Sequence, residues 1–272
     1  MPKKDWEEII EKIGKENLIK FKNSDSIFFP NKNQKNIFNP DSNDFSSKDL
    51  EKEKPANWIP LYKKDDICDF LRDNKIMPIR SGKGSFFFYK GDIFFNLDDI
   101  KSTNKDLSKI KTNKTIPLTL SVPFHKNENA YLNKSLALGI LNDFLGYKDH
   151  LAYGQSGKIH INENIKFYTS KSNRDINKGF QFEVDLVLES DNEIIIFEAK
   201  NPNKTFTKTF SLLQLYYPYI YIDKITESRK KIRTIFIDIL KKENREYYKL
   251  VEIEFKDKYF DQVQYKDSII YS

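Results

Sequence analysis

The sequence predicts an α/β protein in which a mixed central sheet is flanked by helices, and three patterns predict it. Leucines and other apolar residues recur at helical spacing through 126–145, and Gly146 stops the run. Two β-prone runs, 182–188 and 193–199, flank a polar turn at 189–192 in the manner of a hairpin. A further helix at 210–217, ended by Pro218, leads to strands at 234–240 and 247–255. Helix, paired strands, helix and strands in that order describe an α/β layer arrangement.

The chain before this unit reads differently. An opening helix over 4–20 places Trp6, Ile9, Ile10 and Ile13 on one face. Residues 23–55 are rich in Asn, Asp, Ser and Lys, and predict a long polar loop. A short helix at 65–73 follows, then strands at 76–79, 85–89 and 92–96 joined by glycine-bearing turns. This α+β piece is similar to a winged-helix DNA-reading module. The polar stretch 101–114 reads as a linker, which divides the chain into an N-terminal recognition region, 1–114, and a second domain, 115–272.

Composition narrows the chemistry. The single cysteine, Cys68, excludes an intramolecular disulfide and a thiolate metal cluster. The N-terminus has no apolar signal core, and no run approaches the length needed to cross a bilayer. A cytoplasmic protein without a membrane partner is therefore expected. Lys and Arg number 46 against 40 Asp and Glu, a net charge of +6 that suits a polyanionic partner only weakly. Local charge says more: Lys200 to Arg233 holds eight basic residues and two acidic ones, eight minus two being +6 in one short stretch. None of the three histidines, His125, His150 and His160, is paired at a metal-ligand spacing. The run 154–158 resembles a phosphate loop only superficially, because the spacing and the following Ser or Thr are absent, and it reads as a turn.

Chemistry concentrates between Gln181 and Lys200. Alternation puts Glu183 and Asp185 on one face of the first strand, and Glu198 and Lys200 on one face of the second. Acids at the ends of apolar strands are costly to bury unless a cation offsets them. Magnesium takes hard oxygen ligands and keeps several waters, so Asp185, Glu198 and the Ala199 carbonyl form a candidate ion site. Lys200 is placed to stabilise charge on a reacting phosphate.

Glu183-Val184-Asp185, twelve residues, then Glu198-Ala199-Lys200 resembles the PD-(D/E)XK nuclease superfamily, which includes most type II restriction endonucleases. Glu128, near the start of the helix before the strands, matches the place where many members carry an extra acid. Gln214-Leu215-Tyr216-Tyr217-Pro218 is similar to a segment of a group of restriction-enzyme-like proteins. The resemblance covers roughly residues 120–255, and Val184 stands where the family's namesake proline would be. It implies a magnesium-dependent endonuclease acting on double-stranded DNA, with manganese able to substitute. It also implies catalytic roles for Asp185, Glu198, Lys200, Glu128 and Gln214. Arg80 and Lys83 at a hairpin tip, with Lys204, Lys208, Lys230 and Lys231, are the expected DNA contacts. A type II restriction endonuclease suits a homodimer and a cognate DNA methyltransferase in the same system. Two alternatives stay open: a repair or recombination nuclease of the superfamily, and a non-catalytic DNA-binding protein with a degenerate nuclease core.

Overall fold

A computed structural model describes residues 7, 10, 11, 15, 67–82, 85–110, 128–147, 152–154, 156–203, 205–243 and 245–272. Its centre is a seven-stranded mixed sheet in the order β4-β15-β14-β13-β11-β10-β5. These strands are β4 (Thr103–Lys105), β5 (Ala152–Tyr153), β10 (Leu186–Glu189), β11 (Glu193–Ala199), β13 (Lys231–Lys242), β14 (Arg245–Phe255) and β15 (Val263–Tyr271). β10 and β11 form the expected antiparallel hairpin, and β11 runs parallel to β13.

Both faces of β11 are covered, which explains its three consecutive isoleucines, Ile194 to Ile196, all at most 3% exposed. On one face Val187, Ile194, Ile196, Phe236 and Val251 pack against helix α4 (Leu213–Ile225). On the other, Ile195, Phe197, Ala199, Ile235 and Ile237 pack against helices α2 (Glu128–Ala137) and α3 (Ile140–Leu145). An α/β protein with a mixed sheet flanked by a few helices is what the periodicities predict.

The N-terminal elements feed the same core. Helix α1 (Asp69–Asp73) precedes the antiparallel pair β1 (Ile76–Gly82) and β2 (Ser85–Lys90). Ile67, Leu71, Ile79 and Phe87 join the hydrophobic cluster that contains Ile196 and Phe236. Strand β3 (Phe94–Asn96) pairs with β12 (Thr209–Ser211) and not with β2. Two small ribbons, β6 (Gly157–His160) with β9 (Gln181–Val184) and β7 (Ile165–Tyr168) with β8 (Asn173–Ile176), lie between α3 and β10 in sequence.

Several expectations are corrected. The 126–145 helix is two helices broken at Gly139, which adopts φ 74°, a left-handed conformation that suits glycine. Gly146, at φ 77°, ends α3 as expected. The 182–188 strand is split into β9 and β10, with Asp185 at the break. Residues 209–211 are strand, and α4 continues through Pro218 to Ile225. Proline lacks the N–H that would bond the Gln214 carbonyl, yet seven α4 residues, among them Tyr216, Tyr217, Ile220 and Ile222, are buried and hold the helix by packing. The expected linker contributes β4 to the sheet and Ile110 to the core. The opening helix 4–20 lies mostly outside the described residues and the 23–55 loop wholly so. Among the described residues no helix is long and apolar enough to cross a membrane.

Candidate active site

The β10–β11 hairpin carries its acids at its open end. One step beyond the Leu186–Phe197 pair, Asp185 leaves the strand, and its Oδ2 accepts the Ala199 N–H at 2.7 Å. A side-chain bond thereby lengthens the ladder and orients the carboxylate beside Glu198. Glu198 is 6% exposed, and its Oε1 accepts from Lys200 Nζ and from Gln214 Nε2, the latter at 2.5 Å. Lys200 is set by its own N–H, which donates to the Ile237 carbonyl at 2.9 Å. Gln214 comes from the second residue of α4, so the covering helix reaches down to the strand end.

Burial dominates the electrostatics. It pushes the Glu198 carboxyl up to about 7, opposed by the Lys200 ammonium and reinforced by the Asp185 and Glu128 charges. Burial also raises Asp185, against the Ala199 N–H and Lys200, with Glu128 and Glu183 adding to the rise. Glu128, half-buried in the first turn of α2, accepts from Asn201 Nδ2 at 2.6 Å. Asp185, Glu198, Lys200, Gln214 and Glu128 are thus brought together from four elements.

Each central carboxylate is held by one oxygen. Asp185 Oδ1 and Glu198 Oε2 have no hydrogen-bond partner among the described residues. The amide oxygen of Gln214 is buried without a partner as well. No group of three His, Cys, Asp or Glu side chains gathers at metal-binding distance among the described residues. Asp185 Oδ1 and Glu198 Oε2 are the oxygens that could meet a hard cation that keeps several of its waters.

The residues expected to contact DNA sit in different surroundings. Arg80 lies within β1, opposite Phe86, with its guanidinium 5.3 Å from the Phe180 ring centroid, so it folds back onto the protein and does not project from a hairpin tip. Its carbonyl accepts the Tyr217 hydroxyl at 2.8 Å. Lys83 and Lys204 lie outside the described residues, as do His125 and His150, whereas Lys208 and His160 are exposed. Lys230 bonds Glu189, and Lys231 bonds Glu193 at 2.7 Å. Both lysines stand at the start of β11's partner strand. Glu198 lies five positions along the strand from Glu193, or roughly 17 Å at about 3.3 Å per residue.

Two residues escaped the sequence reading. Asn201 had no signal beyond its place after Lys200. Asp238 did have one, since it interrupts the apolar run 235–240; it is fully buried, both its oxygens are bonded by Thr207, and Lys249 faces it from β14.

The fold and site together define an α/β protein with a buried carboxylate–lysine cluster at the end of a central hairpin. A family model described as a domain of unknown function, DUF6997, matches residues 89–272. That is more than half of the chain, and the protein belongs to this family. The match includes every residue of the cluster. No curated protein and no solved structure matches the chain.

Proposed function

We propose that this protein is a magnesium-dependent endonuclease acting on double-stranded DNA, of the PD-(D/E)XK type and in the manner of a type II restriction enzyme. The observation that carries this reading is the convergence of Asp185, Glu198 and Lys200 at one hairpin end, where a carboxylate is buried at a cost that a cation would offset.

In this reading Asp185 Oδ1 and Glu198 Oε2 would hold the ion, with the Ala199 carbonyl as a third oxygen. A bound magnesium ion supplies Lewis acidity toward the phosphoryl oxygen and a lowered pKa for attacking water. The protein's own residues do the rest. Gln214 and Lys200 fix the Glu198 carboxylate through its Oε1. Lys200 supplies positive charge as negative charge builds on the phosphate. Water's oxygen bonds to phosphorus, one P–O ester bond breaks, and the departing sugar oxygen takes a proton.

The deciding experiment incubates supercoiled plasmid with the protein in magnesium or in EDTA. Cleavage in magnesium alone, lost in Asp185→Asn and Glu198→Gln while DNA binding persists, is the expected result. Near wild-type cutting by either variant would overturn the assignment, and wild-type protein that binds DNA without cutting would favour the degenerate-core alternative.

A further inference from the structure

Glu128 approaches the cluster from a different side than the other acids. It begins α2, which is docked on the opposite face of the sheet from α4 through Leu132 and through Lys134, whose Nζ bonds Glu246 at 2.7 Å. What ties the start of that helix to the site is Asn201. The segment carrying Asn201 is stiff. Lys200 N–H bonds the Ile237 carbonyl at 2.9 Å, Asn203 N–H bonds the Ile239 carbonyl at 3.1 Å, and the Asn203 carbonyl accepts the Lys241 N–H at 3.0 Å. Between these anchors on β13, the Asn201 side chain reaches across 73 positions to Glu128 Oε1 at 2.6 Å. Asn201 follows Lys200 directly, so this bond ties Glu128 to the strand end that carries Glu198 and Lys200. The second oxygen of Glu128 has no hydrogen-bond partner among the described residues.

We propose that Asn201 is a positioning residue that holds the Glu128 carboxylate at the rim of the cluster and thereby strengthens divalent-cation binding there. The inference rests on the reading of Asp185 and Glu198 as ion ligands. Asn201 does not touch the ion; it acts through Glu128. An amide suits this role because it donates a hydrogen bond to the carboxylate without adding charge. A lysine there would neutralise the acid, and an aspartate would repel it. Partners that orient a ligand from outside commonly change metal affinity about 10- to 100-fold when removed. Because this hydrogen bond is exposed, the lower end of that range is expected.

The test measures Mn2+ binding by electron paramagnetic resonance of the free ion, without DNA, on the wild type, Asn201→Ala, Glu128→Gln and the double variant. Thermal unfolding in EDTA accompanies it to show that each is folded. Asn201→Ala should weaken Mn2+ about ten-fold with its unfolding temperature unchanged. The double variant should be no weaker than Glu128→Gln alone, because Asn201 has no other route to the ion. If Asn201→Ala binds Mn2+ as the wild type does while Glu128→Gln is weakened, Asn201 is only a surface contact. If Glu128→Gln binds normally too, Glu128 is outside the ion's surroundings, and the proposal fails with it. A wild-type protein that binds no Mn2+ would instead strike down the underlying reading of Asp185 and Glu198. Failure of that kind is distinct, since it appears before any variant is compared.

Discussion

Replacing Glu198 by glutamine should stabilise the metal-free protein at alkaline pH. Burial holds this carboxyl at about 7, well above the ordinary glutamate value of 4.5. The unfolded chain releases the proton at the lower value, so the native state binds more protons between the two. Stability therefore falls as pH rises from 4.5 to about 7, and is flat for this group beyond. The gap of about 2.5 pH units corresponds to roughly 3 kcal/mol at about 1.36 kcal/mol per unit. Glutamine keeps an acceptor for Lys200 and Gln214 but takes no part in the titration. It also removes the ion pair to Lys200, whose side chain is 24% exposed and stays partly hydrated, so a net gain of about 1–3 kcal/mol at pH 8 is expected. Urea unfolding in EDTA at a series of pH values measures it, read as the difference between variant and wild type. That difference should be near zero or negative at pH 4.5 and grow toward pH 7. Magnesium added at pH 8 should stabilise the wild type and narrow the gap. A Glu198→Gln protein less stable than wild type at pH 8 in EDTA, or a difference that does not vary with pH, would refute the claim that Glu198 is buried at a desolvation cost.

Two further outcomes follow from the same geometry. Lys200→Ala should lower single-turnover cleavage by about two orders of magnitude or more while leaving DNA affinity near wild type; normal turnover with weakened binding would make Lys200 a phosphate contact. Lys208→Ala should reduce the salt dependence of DNA binding by about one ion, whereas Lys230→Ala should change it little, because Lys230 is paired with Glu189 at the far end of the hairpin; equal effects in fluorescence anisotropy salt titrations would contradict that distinction.

Why the β10–β11 hairpin was legible and its surroundings were not has a physical explanation. Period-two alternation and a polar turn report local backbone geometry, so β11 appears in the sequence at its true bounds and its triple isoleucine announces cover on both faces. The break at Asp185 cannot be read this way. Val184-Asp185-Leu186 continues a perfect strand pattern, and only the exchange of partners, from β6 before the break to β11 after it, interrupts it. Pro218 misled for the opposite reason. A local rule places a helix end there, but the buried side chains of α4 override it through packing that involves distant residues. Strands β4 and β12 are three residues each, too short for any period to register.

The site shows the same division between local and distant information. Asp185, Glu198 and Lys200 are close in sequence because one hairpin presents them, so spacing alone brings them together. Gln214 and Glu128 come from helices on opposite faces of the sheet, and a resemblance, not periodicity, singled them out. Asn201 carries no signal, and Asp238 only that of a charge interrupting an apolar run. Asn201 matters through a partner 73 positions away, and Asp238 through Thr207, which bonds both of its oxygens. A fully buried aspartate facing a nearly buried lysine, Lys249, is a costly arrangement. Its place one position along β13 from Ile237, which anchors Lys200, puts that cost beside the carboxyl end of β11. Asp238 is therefore a charge that the strand pattern hides and that the fold places near the carboxyl end of β11, where the proposed chemistry lies.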